Sequence, residues 1–130
     1  MASKTSTIPI VATAVTSFSE SGLVASDEQP GGNITGTSDM NPITDQIDLM
    51  LRLCPDVKTV GFLYTSAEDN SVLQCQIAKD YLETLGIATV ERTITNTNDI
   101  QQATTAIVSE CDAIYIPTDN NFASAIPTVN

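Results

Sequence analysis

Thr59-Val60-Gly61-Phe62-Leu63-Tyr64 decides how this chain folds, together with the polar stretch Thr65 to Asn70 and the pattern that starts at Ser71. Six uncharged residues, mostly β-branched, aromatic or leucine, read as a strand covered on both faces, the habit of strands in a parallel sheet. From Ser71 the apolar residues Leu73, Ile77, Tyr81 and Leu85 recur at helical spacing, and Gly86 supplies a stop. A buried strand that passes through a short loop into a helix is the first half of a βαβ unit.

Downstream, Ile87 to Ile94 alternates and is β-branched, which predicts a strand. Asn98 or Asp99 is placed to cap a helix through Ile100, Ala103, Ala106, Ile107 and Val108. Ala113 to Ile116 predicts the next strand, and Asn120 or Asn121 a cap for a helix near Phe122. Upstream, a helix opens at Pro42 with Asn41 as its cap, carries Ile43, Ile47, Met50, Leu51 and Cys54 on one face, and stops at Pro55. Before it, Ile8 to Val15 is a further apolar run, read as a strand covered on both faces. A polar segment follows and ends in the turn-forming Gln29-Pro30-Gly31-Gly32-Asn33, then comes a short extended piece, Ile34 to Met40. The alternation predicts an α/β fold: a parallel, doubly wound, Rossmann-like sheet with helices on both faces. No closing strand follows Ala125, and Ile8 to Val15 leads into no crossover helix, so both ends read as cut from a longer chain.

At 130 residues and 42% hydrophobic, the chain can build one domain-sized core. Sixteen acidic residues against five basic ones, with no His, give a formal charge of −11. That surface repels phosphate backbones and anionic lipid, which argues against nucleic acid as a partner. No stretch nears the roughly 20 apolar residues of a membrane span. Met1 to Ser6 lacks the apolar core of a secretory signal. Cys54, Cys75 and Cys111 are too few and too far apart for a disulfide framework or zinc site, and read as small buried hydrophobes.

Ligands of an open α/β sheet bind outside the carboxyl ends of its strands, and three loops fall there. Thr65 to Ser71 sits at a helix N-terminus suited to a carboxylate; the alternative is plain capping by Asn70 or Ser71. Thr95 to Asp99 reads as capping and turn formation. In Pro117 to Asn121, Asp119 either accepts hydrogen bonds from an ammonium group or caps the following helix. No residue set fits a general base with a nucleophile, a P-loop or a dinucleotide fingerprint, so neither enzyme nor cofactor is expected. Pro30 to Gly36 is glycine-rich but opens an extended segment, so it cannot set a phosphate on a helix N-terminus.

The blocks IPIVATAV, QPGGNITGTSDM, KTVGFLYTSAEDNS, TNTNDIQQA and DAIYIPTDN resemble a family of ABC-transporter substrate-binding proteins, several of which take aromatic amino acids. The resemblance runs from Ile8 to the end. It implies one lobe of a periplasmic-binding-protein-like fold, whose two lobes close on a solute. On that template residues 1–32 look like the tail of the first lobe with a linker, 33–41 a hinge crossover strand, and 42–130 a second lobe truncated at its C-terminal end. It also implies that Ser66, Asn70 and Ser71 hold a ligand carboxylate beside Glu68, with Asp119 on the ammonium between Thr118 and Asn120. Val15 and Thr16 fall where the first lobe would reach the ligand. Thr16-Ser17-Phe18 departs from the family's usual Asp-Pro after the threonine, which leaves that contact open. The implied partners are an amino-acid-like solute such as tryptophan, tyrosine or phenylalanine and an ABC permease, the parent being extracytoplasmic. An unfinished sheet edge also invites a homodimer. The alternative is a receiver or sensor domain, which Asp119 superficially fits, but no acidic pair follows Val11 or Leu63.

Overall fold

The computed structural model describes residues 4–129. Residues 1–3, part of the stretch expected to lack a secretory signal, and Asn130, the last residue of the expected second lobe, lie outside the described residues. The chain divides into two compact units, Met1–Asn41 and Pro42–Asn130.

In the second unit the run that decides the fold is strand β3 (Thr59–Thr65), flanked by β4 (Ala88–Ile94) and β5 (Ala113–Tyr115) in the order β4-β3-β5, every pair parallel. Its alternate side chains go to opposite faces. Val60, Phe62 and Tyr64 pack with Ile43 and Ile47 of α1 (Ile43–Leu53) and Cys75, Ala78 and Leu82 of α2 (Asp69–Thr84). Leu63 packs on the other side with Ile94, Ile100 and Ile107, the last two from α3 (Ile100–Ile107), and with Phe122 of α4 (Asn120–Ser124). A Cβ on Gly61 would stand 2.7 Å from Cys111 Sγ and 3.0 Å from Ile107 Cδ1, so the glycine lets α3 come close to the sheet.

The winding reverses at β3. The chain goes from β3 through α2 to β4 on one side, then through α3 to β5 on the other. Loops leaving β3 and β5 therefore run to helices on opposite faces, which opens a crevice at their carboxyl ends.

Several element boundaries and faces differ from expectation. Helix α1 begins at Ile43, and its N-cap position is Pro42 rather than Asn41. Cys54 is its C-cap and is exposed, because the helix ends before its side chain can turn inward; Cys75 is buried and Cys111 half-buried. Burial pushes the Cys75 thiol up to about 12. Helix α2 starts at Asp69, and its buried stripe is Ser71, Gln74, Cys75, Ala78 and Leu82. Leu73, Ile77 and Tyr81 are only half-buried and Leu85 is exposed. Small side chains let the helix lie close to the sheet, which displaces the larger ones to the flank. Asp99 is the N-cap of α3, as expected, without a side-chain capping bond; ahead of it Thr97–Asp99 forms a 3-10 turn whose cap is Asn96, its side chain accepting from the Asn98 N–H at 3.0 Å.

At the opposite end of the sheet, Asp112 Oδ2 accepts from the Lys58 and Thr59 N–H groups at 2.9 Å each, pinning the start of β3 to that of β5. Those two N–H bonds, the Lys58 donor first, hold its carboxyl below the usual carboxylate value. A lowered folded pKa contributes stability above the unfolded value and loses it as pH falls through the folded one. The melting-temperature gap between wild type and Asp112→Asn should therefore narrow as pH drops below about 4. Thermal denaturation followed by circular dichroism between pH 6 and 3 reads it, and a constant gap would refute the account.

In the first unit β1 (Ile10–Val15) pairs in parallel with β2 (Ile34–Ser38), with a register shift between Ala12 and Val15. Ala14 takes a left-handed φ of 57° within that shift. Here the expectation of a strand covered on both faces fails: Ile8 is 65% and Val11 74% exposed. Among the described residues of this unit, Phe18 and Ile34 are the buried apolar side chains. Among the described residues no helix is long and apolar enough to cross a membrane.

Candidate functional site

Thr65 ends β3 and Asp119 begins the turn after β5, so the two meet at the switch of winding. Asp119 is 3% exposed. Its Oδ2 accepts from the Thr65 N–H at 2.7 Å and from Ser71 Oγ at 2.9 Å. Its Oδ1 accepts from Thr65 Oγ1 at 2.9 Å and from the Asn121 and Phe122 N–H groups, both at 3.1 Å. A carboxylate offers about four lone-pair sites, and five donors fill them. Asp119, not Asn120 or Asn121, is thus the cap of α4, and one side chain fastens the β3–α2 loop to the β5–α4 loop.

Helix α2 closes the same seam. Its N-cap is Glu68, whose side chain makes no capping hydrogen bond. Asn70 Nδ2 donates to the Thr118 carbonyl at 2.7 Å instead, and Ser71 Oγ approaches the same oxygen at 3.3 Å. Glu68 Oε2 accepts from the N–H and the side-chain Nδ2 of Asn120, at 3.1 and 3.0 Å. Ser66 Oγ donates to the Ile94 carbonyl at 3.3 Å, and its N–H to the same oxygen at 3.0 Å.

Of the expected residues, the structure brings Ser66, Glu68, Asn70, Ser71, Thr118, Asp119 and Asn120 together at one sheet edge; Val15 and Thr16 belong to the first unit. The seven divide by depth. Ser66, Thr118 and Asn120 are exposed and Glu68 and Asn70 half-buried, so these form the open rim. Ser71 and Asp119 lie beneath it, buried, with their polar atoms engaged by the two loops. Their hydrogen bonds hold the loops that carry the rim.

Two residues of the site escaped the sequence reading. Thr65, 2% exposed, supplies two of the five donors to Asp119 and also accepts from Asn121 Nδ2 at 3.2 Å. Gln74, 1% exposed, accepts from the Thr118 N–H at 3.0 Å. A glutamine one turn beyond Ser71, on the stripe that packs inward, was the available signal.

Beside the seam, Glu91 Oε2 takes the Lys79 ammonium at 2.8 Å and the Tyr64 hydroxyl at 3.2 Å. The Lys79 hydrogen bond holds the Glu91 carboxyl below its ordinary value, while burial first, then the Glu91 charge, raises the Tyr64 hydroxyl. A concavity of about 330 Å³ lined by Val108, Cys111, Asp112, Ala113 and Ile114 opens at the other end of β5, away from these loops.

A parallel α/β unit with a braced polar rim at its switch point has the build of a binding protein. The comparisons specify which. A family model described as ABC transporter substrate binding protein matches residues 1–130, and the chain belongs to that family. It is 40% identical over 126 residues to a tyrosine-binding protein of Clostridioides difficile strain R20291, covering 97% of this chain and 36% of the relative. It is 42% identical, with a TM-score of 0.90, to a crystal structure of an ABC domain in complex with L-Trp from Streptococcus pneumoniae, covering 98% of this chain and 44% of that one. A ligand-free, open substrate-binding protein with adhesive properties from Clostridium difficile aligns at 38% identity and a TM-score of 0.74, over 98% and 43% of the two chains. The chain thus spans less than half the length of these relatives.

Proposed function

We propose that the unit from Pro42 onward is one side of a site for the backbone end of a small amino acid, within a non-enzymatic solute-binding component of an ABC importer. The observation that supports it is the N-terminus of α2, without a capping bond from the Glu68 side chain, standing beside the exposed Ser66 at the switch of winding. First-turn N–H groups and the positive dipole end there suit a carboxylate. Glu68 and Asn120, on the rim, are the groups in reach of an ammonium, with Asn70 and Thr118 between, and Ser71 and Asp119 bracing from below. The tyrosine-binding relative and the L-Trp complex make an aromatic amino acid the first ligand to try. The full-length protein would work outside the cytoplasm and hand its solute to a permease. The uncharged edge Ala113-Ile114-Tyr115 of β5 would pair with a second copy, which sedimentation velocity reads directly.

This chain offers part of the site, so its own affinity should be roughly millimolar. Titration with L-tryptophan, L-tyrosine and L-phenylalanine should shift the backbone amide resonances of residues 68–71, while L-tryptophanamide, which lacks the carboxylate, should not. Equal responses to acid and amide would remove the carboxylate from this place. Sub-micromolar binding by this chain alone would show that the site is already complete.

A further inference from the structure

Three residues on the first two turns of α2 reach the backbone of one residue of the opposite loop, Thr118. Asn70 Nδ2 and Ser71 Oγ reach the Thr118 carbonyl, and Gln74 Oε1 takes the Thr118 N–H. Asn70 and Gln74 are one helical turn apart, so they sit on one face. The amide orientation of Gln74 is not in question, because an N–H can only donate and so must face the oxygen.

Gln74 is an expensive choice for that position. It is 1% exposed on a stripe otherwise made of Ser71, Cys75, Ala78 and Leu82. Its Nε2 is buried and faces no acceptor among the described residues. A buried amide with an unpaired NH2 costs stability that an apolar side chain of similar length would not. What the glutamine supplies in exchange is the anchor on Thr118, whose own side chain is exposed on the rim.

We propose that Gln74 is a positioning residue of the amino-acid site: it gives up global stability to fix the Thr118–Asn120 rim in its binding geometry before the ligand arrives. The proposal rests on the binding reading above, and its mechanism is preorganisation. A rim already held in place loses little loop entropy when it binds. A residue that served packing alone would show the opposite balance.

Gln74→Met keeps length and apolar bulk and deletes the acceptor. Its melting temperature should stay within about 3 °C of wild type or rise. The Thr118 N–H, released to water, should exchange with solvent roughly tenfold faster, with α2 and β3 unchanged, and the affinity for L-tryptophan read from amide shifts should fall about fivefold. Gln74→Glu retains an acceptor for the Thr118 N–H while burying a carboxylate, so it should melt lower yet keep Thr118 exchange near wild type. The idea is overturned if Gln74→Met leaves Thr118 exchange and the ligand response unchanged, or if exchange rises across α2 and β3 together with a lower melting temperature. A wild-type chain that ignores L-tryptophan while Gln74→Met still frees the Thr118 amide overturns the binding reading and leaves the clamp standing.

Discussion

Asp119→Ala is expected to destabilise the second unit by about 3–4 kcal/mol, out of a net stability of about 5–15 kcal/mol for an ordinary domain. Five donors lose their acceptor at once, and those of Thr65 and Phe122 are buried where water cannot replace it. Losses within one network do not add, so the figure lies well below five separate hydrogen bonds to a charged group. The melting temperature should drop by roughly 15–20 °C. Asp119→Asn is the sharper probe, because it keeps the shape. Whichever way the amide turns, its NH2 meets a backbone N–H: Thr65 on one side, Asn121 and Phe122 on the other. A cost of about 1–3 kcal/mol should remain. A ligand-contacting Asp119 would behave in the reverse way, losing ligand response with stability intact. Urea denaturation beside an L-tryptophan titration separates the two outcomes.

The parts of this fold that were legible share a physical cause. β3 is covered on both faces, so Val60–Leu63 is apolar or glycine throughout, and that run is visible without coordinates. The loops at its carboxyl end and after β5 follow from the parallel βαβ rule, which puts Ser66 and Asp119 at one edge before any side chain is placed. The buried face of α2 was not legible. Leu73, Ile77, Tyr81 and Leu85 advertise a stripe, but the face that meets the sheet is made of Ser71, Gln74, Cys75, Ala78 and Leu82, whose small or polar members hydropathy underweights. The same blindness covers depth within the site. Sequence spacing puts Asp119 near Thr65, but only packing shows that its oxygens point into the seam and are used up there. Likewise β1 carries the letters of a doubly covered strand, while its partner in this unit covers part of it.

Gly36→Ala is expected to break the first unit's strand pair. β1 and β2 set Ala12 opposite Gly36, and a Cβ on Gly36 would stand 1.9 Å from the Ala12 carbonyl oxygen and 2.5 Å from Phe18 Cζ. The ring of Phe18, 6% exposed, fills the space a side chain would have taken, a known way to compensate a strand glycine. The ring can swing aside, but the carbonyl belongs to the ladder and cannot move without opening it. The cost should be about 3 kcal/mol or more, in the range of severe overpacking. Amide exchange at Ile10, whose N–H donates to the Asn33 carbonyl at 2.7 Å, should accelerate at least roughly tenfold. Gly32→Ala is the control, because a Cβ there meets nothing within 4 Å. Phe18→Ala combined with Gly36→Ala should recover only a minor part of the loss, since the backbone overlap remains. Full recovery in that double variant would mean that the ring, and not the close approach of the two strands, is what excludes a side chain at position 36.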